Sequence, residues 1–225
     1  TGAQTFNDAV TLGADTTLTG VGITLASTVK SDGTNRSLTL NDSGTTTLGG
    51  PIGATPLGNL NITTGTALDL PTTTLDTGKN LIVVAGGAIT QSGALTVPGT
   101  TSLTAGSANP ITLANATNDF TGAVTVVSGS ALSLADVNTL KLGGFSGNGA
   151  LVLSAPTLNI TGALSTTNGN ATLTTNNLVL GSTLNAGTGT VTIGTVTMST
   201  NSVTTVSSTG DAVSILNISA GTVSI

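Results

Sequence analysis

Apolar residues recur at every second position over short windows along this whole chain. Residues two apart point to the same side of an extended strand, so each window reads as a strand with one face for the interior. Leu38 and Leu40, Leu60 and Ile62, Leu68 and Leu70, and Ile82 and Val84 are examples, followed by Leu132 and Leu134, Leu140 and Leu142, Leu151 and Leu153, and Leu158 and Ile160. Leu178 and Leu180, Val191 and Ile193, and Val213 and Ile215 continue the series. Between the windows lie clusters such as Asn41-Asp42-Ser43-Gly44, Thr77-Gly78-Lys79-Asn80 and Asn168-Gly169-Asn170. These residue types make turns and tolerate left-handed backbone. No window has helical spacing. Thr is abundant and β-branched, and Gly recurs too often for helix interiors.

The strands are short, so the next question is what buries their apolar faces. Leu60-Asn61-Ile62-Thr63 recurs as Leu158-Asn159-Ile160-Thr161 and as Leu216-Asn217-Ile218-Ser219. Asn138-Thr139-Leu140-Lys141-Leu142-Gly143 resembles Asn176-Asn177-Leu178-Val179-Leu180-Gly181. These separations are near multiples of ~19–20 residues, a fitting length for one solenoid repeat. A longer match, Ile89 to Thr96 against Leu158 to Ser165, suggests three coils of ~23 residues. A repeat of this size cannot bury its own apolar face and must stack on its neighbours. The expected fold is therefore all-β, a right-handed parallel β-helix over 1–225, with ~10–12 coils and a length of ~50 Å. The rival is a β-sandwich, which also has short alternating strands but usually carries buried Trp or Tyr.

Composition agrees with a narrow interior. The chain is 37% apolar, but its aromatic residues are only Phe6, Phe120 and Phe145, so Leu, Ile, Val and Ala must fill the core. Only 6% is charged, against roughly 25% in an ordinary domain. Positive mean hydropathy and a net charge of -5 set the chain apart from disordered sequences. Terminal repeats of a solenoid need polar caps. The pattern runs uninterrupted to Val223-Ser224-Ile225, so the chain is expected to be a segment of a longer array, able to associate end to end with identical chains. The opening residues lack the charged and apolar regions of a signal peptide.

Three stretches carry a family likeness. They are Gly2-Ala3-Gln4-Thr5-Phe6-Asn7-Asp8-Ala9-Val10-Thr11-Leu12, Gly86-Gly87-Ala88-Ile89-Thr90-Gln91-Ser92-Gly93, and Asn115-Ala116-Thr117-Asn118-Asp119-Phe120-Thr121-Gly122-Ala123-Val124. Each resembles the repeats of filamentous-haemagglutinin-like exoproteins, large bacterial adhesins exported by two-partner secretion and similar in composition to autotransporter passengers. The resemblance implies a secreted or cell-surface β-helical stalk with adhesive or biofilm-matrix roles. The partners it implies are a glycan or surface receptor and an outer-membrane transporter during export. It carries over no catalytic residue.

The residue types present restrict chemistry further. The chain has no His and no Cys, which removes the commonest general base, the commonest metal ligand and any thiolate. Four Lys and Arg in all give no basic patch for nucleic acid. The alternative to a stalk is a carbohydrate-processing or carbohydrate-binding β-helix, and an enzyme would need paired carboxylates. The acids are Asp8, Asp15, Asp32, Asp42, Asp69, Asp76, Asp119, Asp136 and Asp211, most of them in turn-like contexts where Asp caps its own backbone. Lys30, Asp32 and Arg36 fall in one expected loop and read as a solvated, charge-balanced turn. Gly49-Gly50, Gly86-Gly87 and Gly143-Gly144 lack the continuation of a calcium-binding repeat. Thr45-Thr46-Thr47, Thr72-Thr73-Thr74 and Thr195-Val196-Thr197 place Thr two apart, but too intermittently for a water-ordering face. The reading is non-enzymatic, with no catalytic, cofactor-binding or metal-binding residue assigned and no cofactor expected.

Overall fold

The computed structural model describes residues 2–194, and beyond them only the backbone of strands Thr197–Met198, Val206–Ser207 and Val213–Ile215. Its strand pairings are parallel, and no helix occurs among the described residues. Parallel neighbours need a long crossover between them. Here each crossover is the remainder of one coil, so the chain winds through about ten turns of a β-solenoid. This excludes the sandwich, whose sheets are antiparallel. Coils vary from 18 residues, Leu142 to its partner Ile160, to 24, Thr104 to its partner Ser128.

The first face carries a three-stranded sheet that begins at Gln4–Phe6 and an eight-stranded sheet that begins at Leu68–Leu70. The second face has six strands, from Val10–Leu12 to Asp119–Phe120. The third has ten, from Thr16–Gly20 to Thr197–Met198. Inward residues form columns along the axis. On the third face one column runs Leu38, Leu60, Leu81, Thr101, Val124, Leu142, Ile160 and Leu180. All eight are essentially sealed from solvent. Each aliphatic member contributes about 1.5–3 kcal/mol by leaving water. Branched aliphatic side chains fit this column because each has one neighbour above and one below at ~4.8 Å.

The corners are held by side chains reaching between coils. Before the third face, Asp15 Oδ1 accepts from Ser37 N–H at 2.9 Å, and Ser37 Oγ accepts from Asn59 N–H at 3.2 Å. Asn59 Oδ1 accepts from Asn80 N–H at 2.9 Å, and Asn80 Oδ1 accepts from Thr100 N–H at 2.8 Å. A turn amide that no ladder can satisfy thus finds an acceptor one coil back.

The repeats map unevenly onto these coils. Leu140 and Leu178 lie two coils apart through Leu158, as the Asn138 and Asn176 match requires. The column of Leu60 leads to Ile160 rather than Leu158, so that match is in phase for side but two residues out along the strand. The match of Ile89–Thr96 to Leu158–Ser165 does not mark three coils of 23. The first segment crosses the first and second faces, the second crosses the third and a fourth, and only the corner pattern is shared. Leu216 to Ser219 lie outside the described residues, as do Asp211 and Val223 to Ile225.

The fourth face is the main departure from a uniform rod. Up to Ser128 the chain visits first, second and third faces in turn. After strand Leu132–Ala135 it passes directly to the third face at Thr139–Leu142, and then to a new four-stranded sheet that begins at Phe145–Gly147. The second face ends at Asp119–Phe120. Residue Val127 is bulged out of the ladder, because Leu103 pairs with Val126 but Thr104 with Ser128, and it is 63% exposed. One coil on, a corner stands near that bulge at Gly143-Gly144, where Gly144 has φ +147° and an added Cβ would lie 2.9 Å from Ala163 O. The cross-section therefore changes its corners within one turn.

Candidate functional site

The end of the second face creates a local problem. The last strands of a sheet present amides that the next coil would ordinarily receive. Two side chains take that role. Asn118, fully buried, accepts from Leu95 N–H through Oδ1 at 2.9 Å and donates through Nδ2 to Leu113 O, Ala135 O and Gln91 Oε1. Asp136, 4% exposed, accepts from Phe120 N–H through Oδ2 and from Asn138 N–H through Oδ1, both at 2.7 Å. Val137 N–H donates to Asn118 O, completing the closure. Burial pushes the Asp136 carboxyl above its ordinary value, while the Phe120 and Asn138 amides pull it down, Asp119 pushes up and Lys141 pulls down.

The other acids are dispersed along the rod. Asp42 is buried at a corner, where desolvation raises its pKa. The amides of Gly22, Gly44 and Ile23 and the Thr46 hydroxyl outweigh that and leave it below the usual carboxylate value. Asp32 pairs with Arg36 at 2.9 Å in an exposed loop, the only ion pair among the described residues. The Arg36 guanidinium and the Thr34 amide hold Asp32 low, and Asp32 in turn raises Arg36. Lys30 is not in that loop. It belongs to strand Val29–Ser31, opposite Thr11, because Val29 must face the core.

Asp32, Asp42 and Asp136 each accept from the amide two residues on, as turn carboxylates do, and Asp76 from the next one. Asp69 is an exception, standing outward in strand Leu68–Leu70 and accepting from the Thr90 hydroxyl at 2.9 Å. Asp8 is exposed near the first corner. No three carboxylates gather as a metal site among the described residues.

The Thr clusters do not form one array. Thr46 points inward, and Thr47 and Thr74 lie on different faces. Thr195 and Val196 lie outside the described residues. Register assembles outward columns that no single segment shows, such as Thr17, Thr39, Asn61, Ile82, Ser102 and Thr125 on the third face.

Among the described residues, hollows open in the surface beside the change of cross-section. One, of about 350 Å³, lies against Ala116, Asp136, Val137, Pro156 and Asn176. Another, of about 540 Å³, follows the bulge at Val127 toward Phe145. A third, of about 310 Å³, is lined by Asp119, Phe120, Thr121, Asn138, Thr139 and Lys141, and brings a carboxylate and an ammonium to one depression. In the sequence Asp119 stands among the acids and Lys141 only within a repeat match. Nothing local pairs them, because they meet only through the stacking of one coil on the next.

A family profile described as repeats of unknown function (DUF5649) matches residues 57–127. That stretch runs from the end of strand Ile52–Leu57 to the bulge at Val127 and stops where the cross-section changes. Comparisons with curated proteins and with solved structures found no match.

Proposed function

We propose that the chain is a structural and adhesive stalk of a secreted or surface-bound bacterial exoprotein. The observation that carries this reading is the unbroken stacking of coils. The third face keeps one inward column in register from Leu38 to Leu180, so backbone ladders run along the rod and resist bending. Such a body spaces a contact surface away from a cell, and chains joined end to end extend it. The resemblance to filamentous-haemagglutinin-like repeats supports the same role and an outer-membrane transporter as the export partner.

An enzymatic reading finds less support. Asp136 is the carboxyl that burial raises, as a general acid requires. Both of its oxygens are already engaged by backbone amides, so it serves the fold.

Two measurements test the stalk. Antibodies to this chain should label intact cells of the producing organism, and beads coated with the folded chain should be retained on cell layers under flow. Labelling only after lysis, with bead retention no better than for heat-unfolded chain, would overturn the reading. So would turnover of a polysaccharide that one Asp substitution abolishes.

A further inference from the structure

We infer that the notch at the end of the second face binds neutral hexose chains. This inference deepens the adhesive reading and rests on it. The notch is a product of topology. Strand Asp119–Phe120 has no successor on its face, and the chain of the next coil cuts across to Thr139–Leu142. A hollow of about 310 Å³ remains between the two coils.

Its lining is suited to hydroxyl groups. Among the described residues Asp119 receives one hydrogen bond, from the Thr121 hydroxyl at 3.3 Å through Oδ1, and its Oδ2 accepts from none of them. Asn138 is exposed and its side-chain amide has no partner among the described residues, so it offers a donor and an acceptor side by side. Lys141 Nζ donates one hydrogen bond, to Thr121 O at 2.9 Å, and keeps further N–H groups for a ligand. The Thr139 hydroxyl completes the rim. Asp119 belongs to one coil and Asn138 and Lys141 to the next, so the groups stand about 5 Å apart along the axis. A sugar ring can bridge them with adjacent hydroxyls, one donating to the carboxylate and one accepting from the amide or ammonium.

Charge selects the class of glycan. One carboxylate faces one ammonium in the hollow, and the Asp136 carboxyl lies just behind Phe120. No excess of positive charge is present to hold uronate, sulfate or phosphate. Phe120 and Phe145 are buried, so no aromatic face is offered for a sugar to stack on. Affinity for one site should therefore be weak, with Kd on the order of 1 mM. Adhesion would come from many copies acting together.

The test uses the full chain. Saturation-transfer NMR and bead binding are measured with maltohexaose and cellohexaose as neutral probes and hexagalacturonate as the anionic one. The variants are Asp119→Ala/Asn138→Ala and Lys141→Gln, with Asp69→Ala on the first face as control. At least one neutral hexamer should bind to the wild type and the control. The double variant should lose that binding tenfold or more with its melting temperature unchanged, and Lys141→Gln should weaken it. Binding unaltered in the double variant, binding by hexagalacturonate alone, or no hexose binding at all would overturn the inference. Cell retention of beads that survives the double variant would leave the stalk standing while removing this site. Hexose binding that the double variant abolishes, without any cell retention, would do the reverse.

Discussion

From Leu38 to Leu180, Thr101 is the one member of its inward column that is not aliphatic, standing between Leu81 and Val124 at 1% exposure. Its Oγ1 is buried and has no hydrogen-bond partner among the described residues. A hydroxyl in that position has lost its hydration without compensation, which costs about 1–3 kcal/mol. Val has the same branched shape, so Thr101→Val should add about 1–2 kcal/mol of stability. For a chain of this size each kcal/mol moves the melting midpoint by about 2–4 °C. Thr73 supplies the control. It is equally buried and inward, but its Oγ1 donates to Pro71 O at 2.9 Å. Thr73→Val should therefore destabilise by about 1 kcal/mol. Thermal melts and urea unfolding of both variants read the signs directly. Loss of stability in Thr101→Val, or the same sign in both, would refute the reasoning.

Asp136→Ala removes the acceptor of two buried amides and should cost about 2–4 kcal/mol, read as a fall in the urea midpoint. Gly53 has φ +85°, and a Cβ there would fall 2.0 Å from Thr74 O, so Gly53→Ala should cost at least ~2 kcal/mol in the same assay. Asp42 and Asp136 should give opposite pH dependences. The folded pKa of Asp42 is lowered, so its contribution is present above about pH 4 and is lost as pH falls through the folded value, and Asp42→Asn should flatten that acid limb. The folded pKa of Asp136 is raised, so its contribution is full at low pH and is lost as pH climbs through that value. The stability of wild type relative to Asp136→Asn should fall with rising pH, as urea midpoints at a series of pH values would show.

The parallel stack is legible in the sequence because both its signals are local. Alternation marks the buried side where only one side is apolar, as at Leu38 and Leu40, and the ~20-residue period sets how strands recur. In strand Leu81–Ala85 both sides are apolar, and the pair Ile82 and Val84 is the wrong choice: Leu81 and Val83 face the core, and Ile82 and Val84 are exposed. The features that set the hollows are not local. Asn118 reads as an ordinary turn residue, but it is buried because it substitutes for a strand that the next coil lacks. Asp136 follows Ala135 at the end of an alternating window, and the amide it caps, Phe120 N–H, lies 16 residues back. The exchange of the second face for the fourth depends on where Gly143-Gly144 falls relative to Val127, a matter of cross-coil register that a short self-match cannot resolve. The two-residue slip between Leu60 and Leu158 has the same origin, since coils of unequal length still present the same inward periodicity.

The stack itself can be measured with spin labels on the first face. Asp69 is labelled in every sample, paired in turn with Val152, Thr172 or Thr192, which lie four, five and six coils away in the register of that face. At ~4.8 Å per coil the separations should be about 19, 24 and 29 Å before allowance for the label arms, with equal steps between them. Pulsed electron-spin distances that rise in those steps are the expected result. A distance that shortens as the sequence separation grows, as antiparallel return of the chain would produce, would contradict the solenoid and everything built on it.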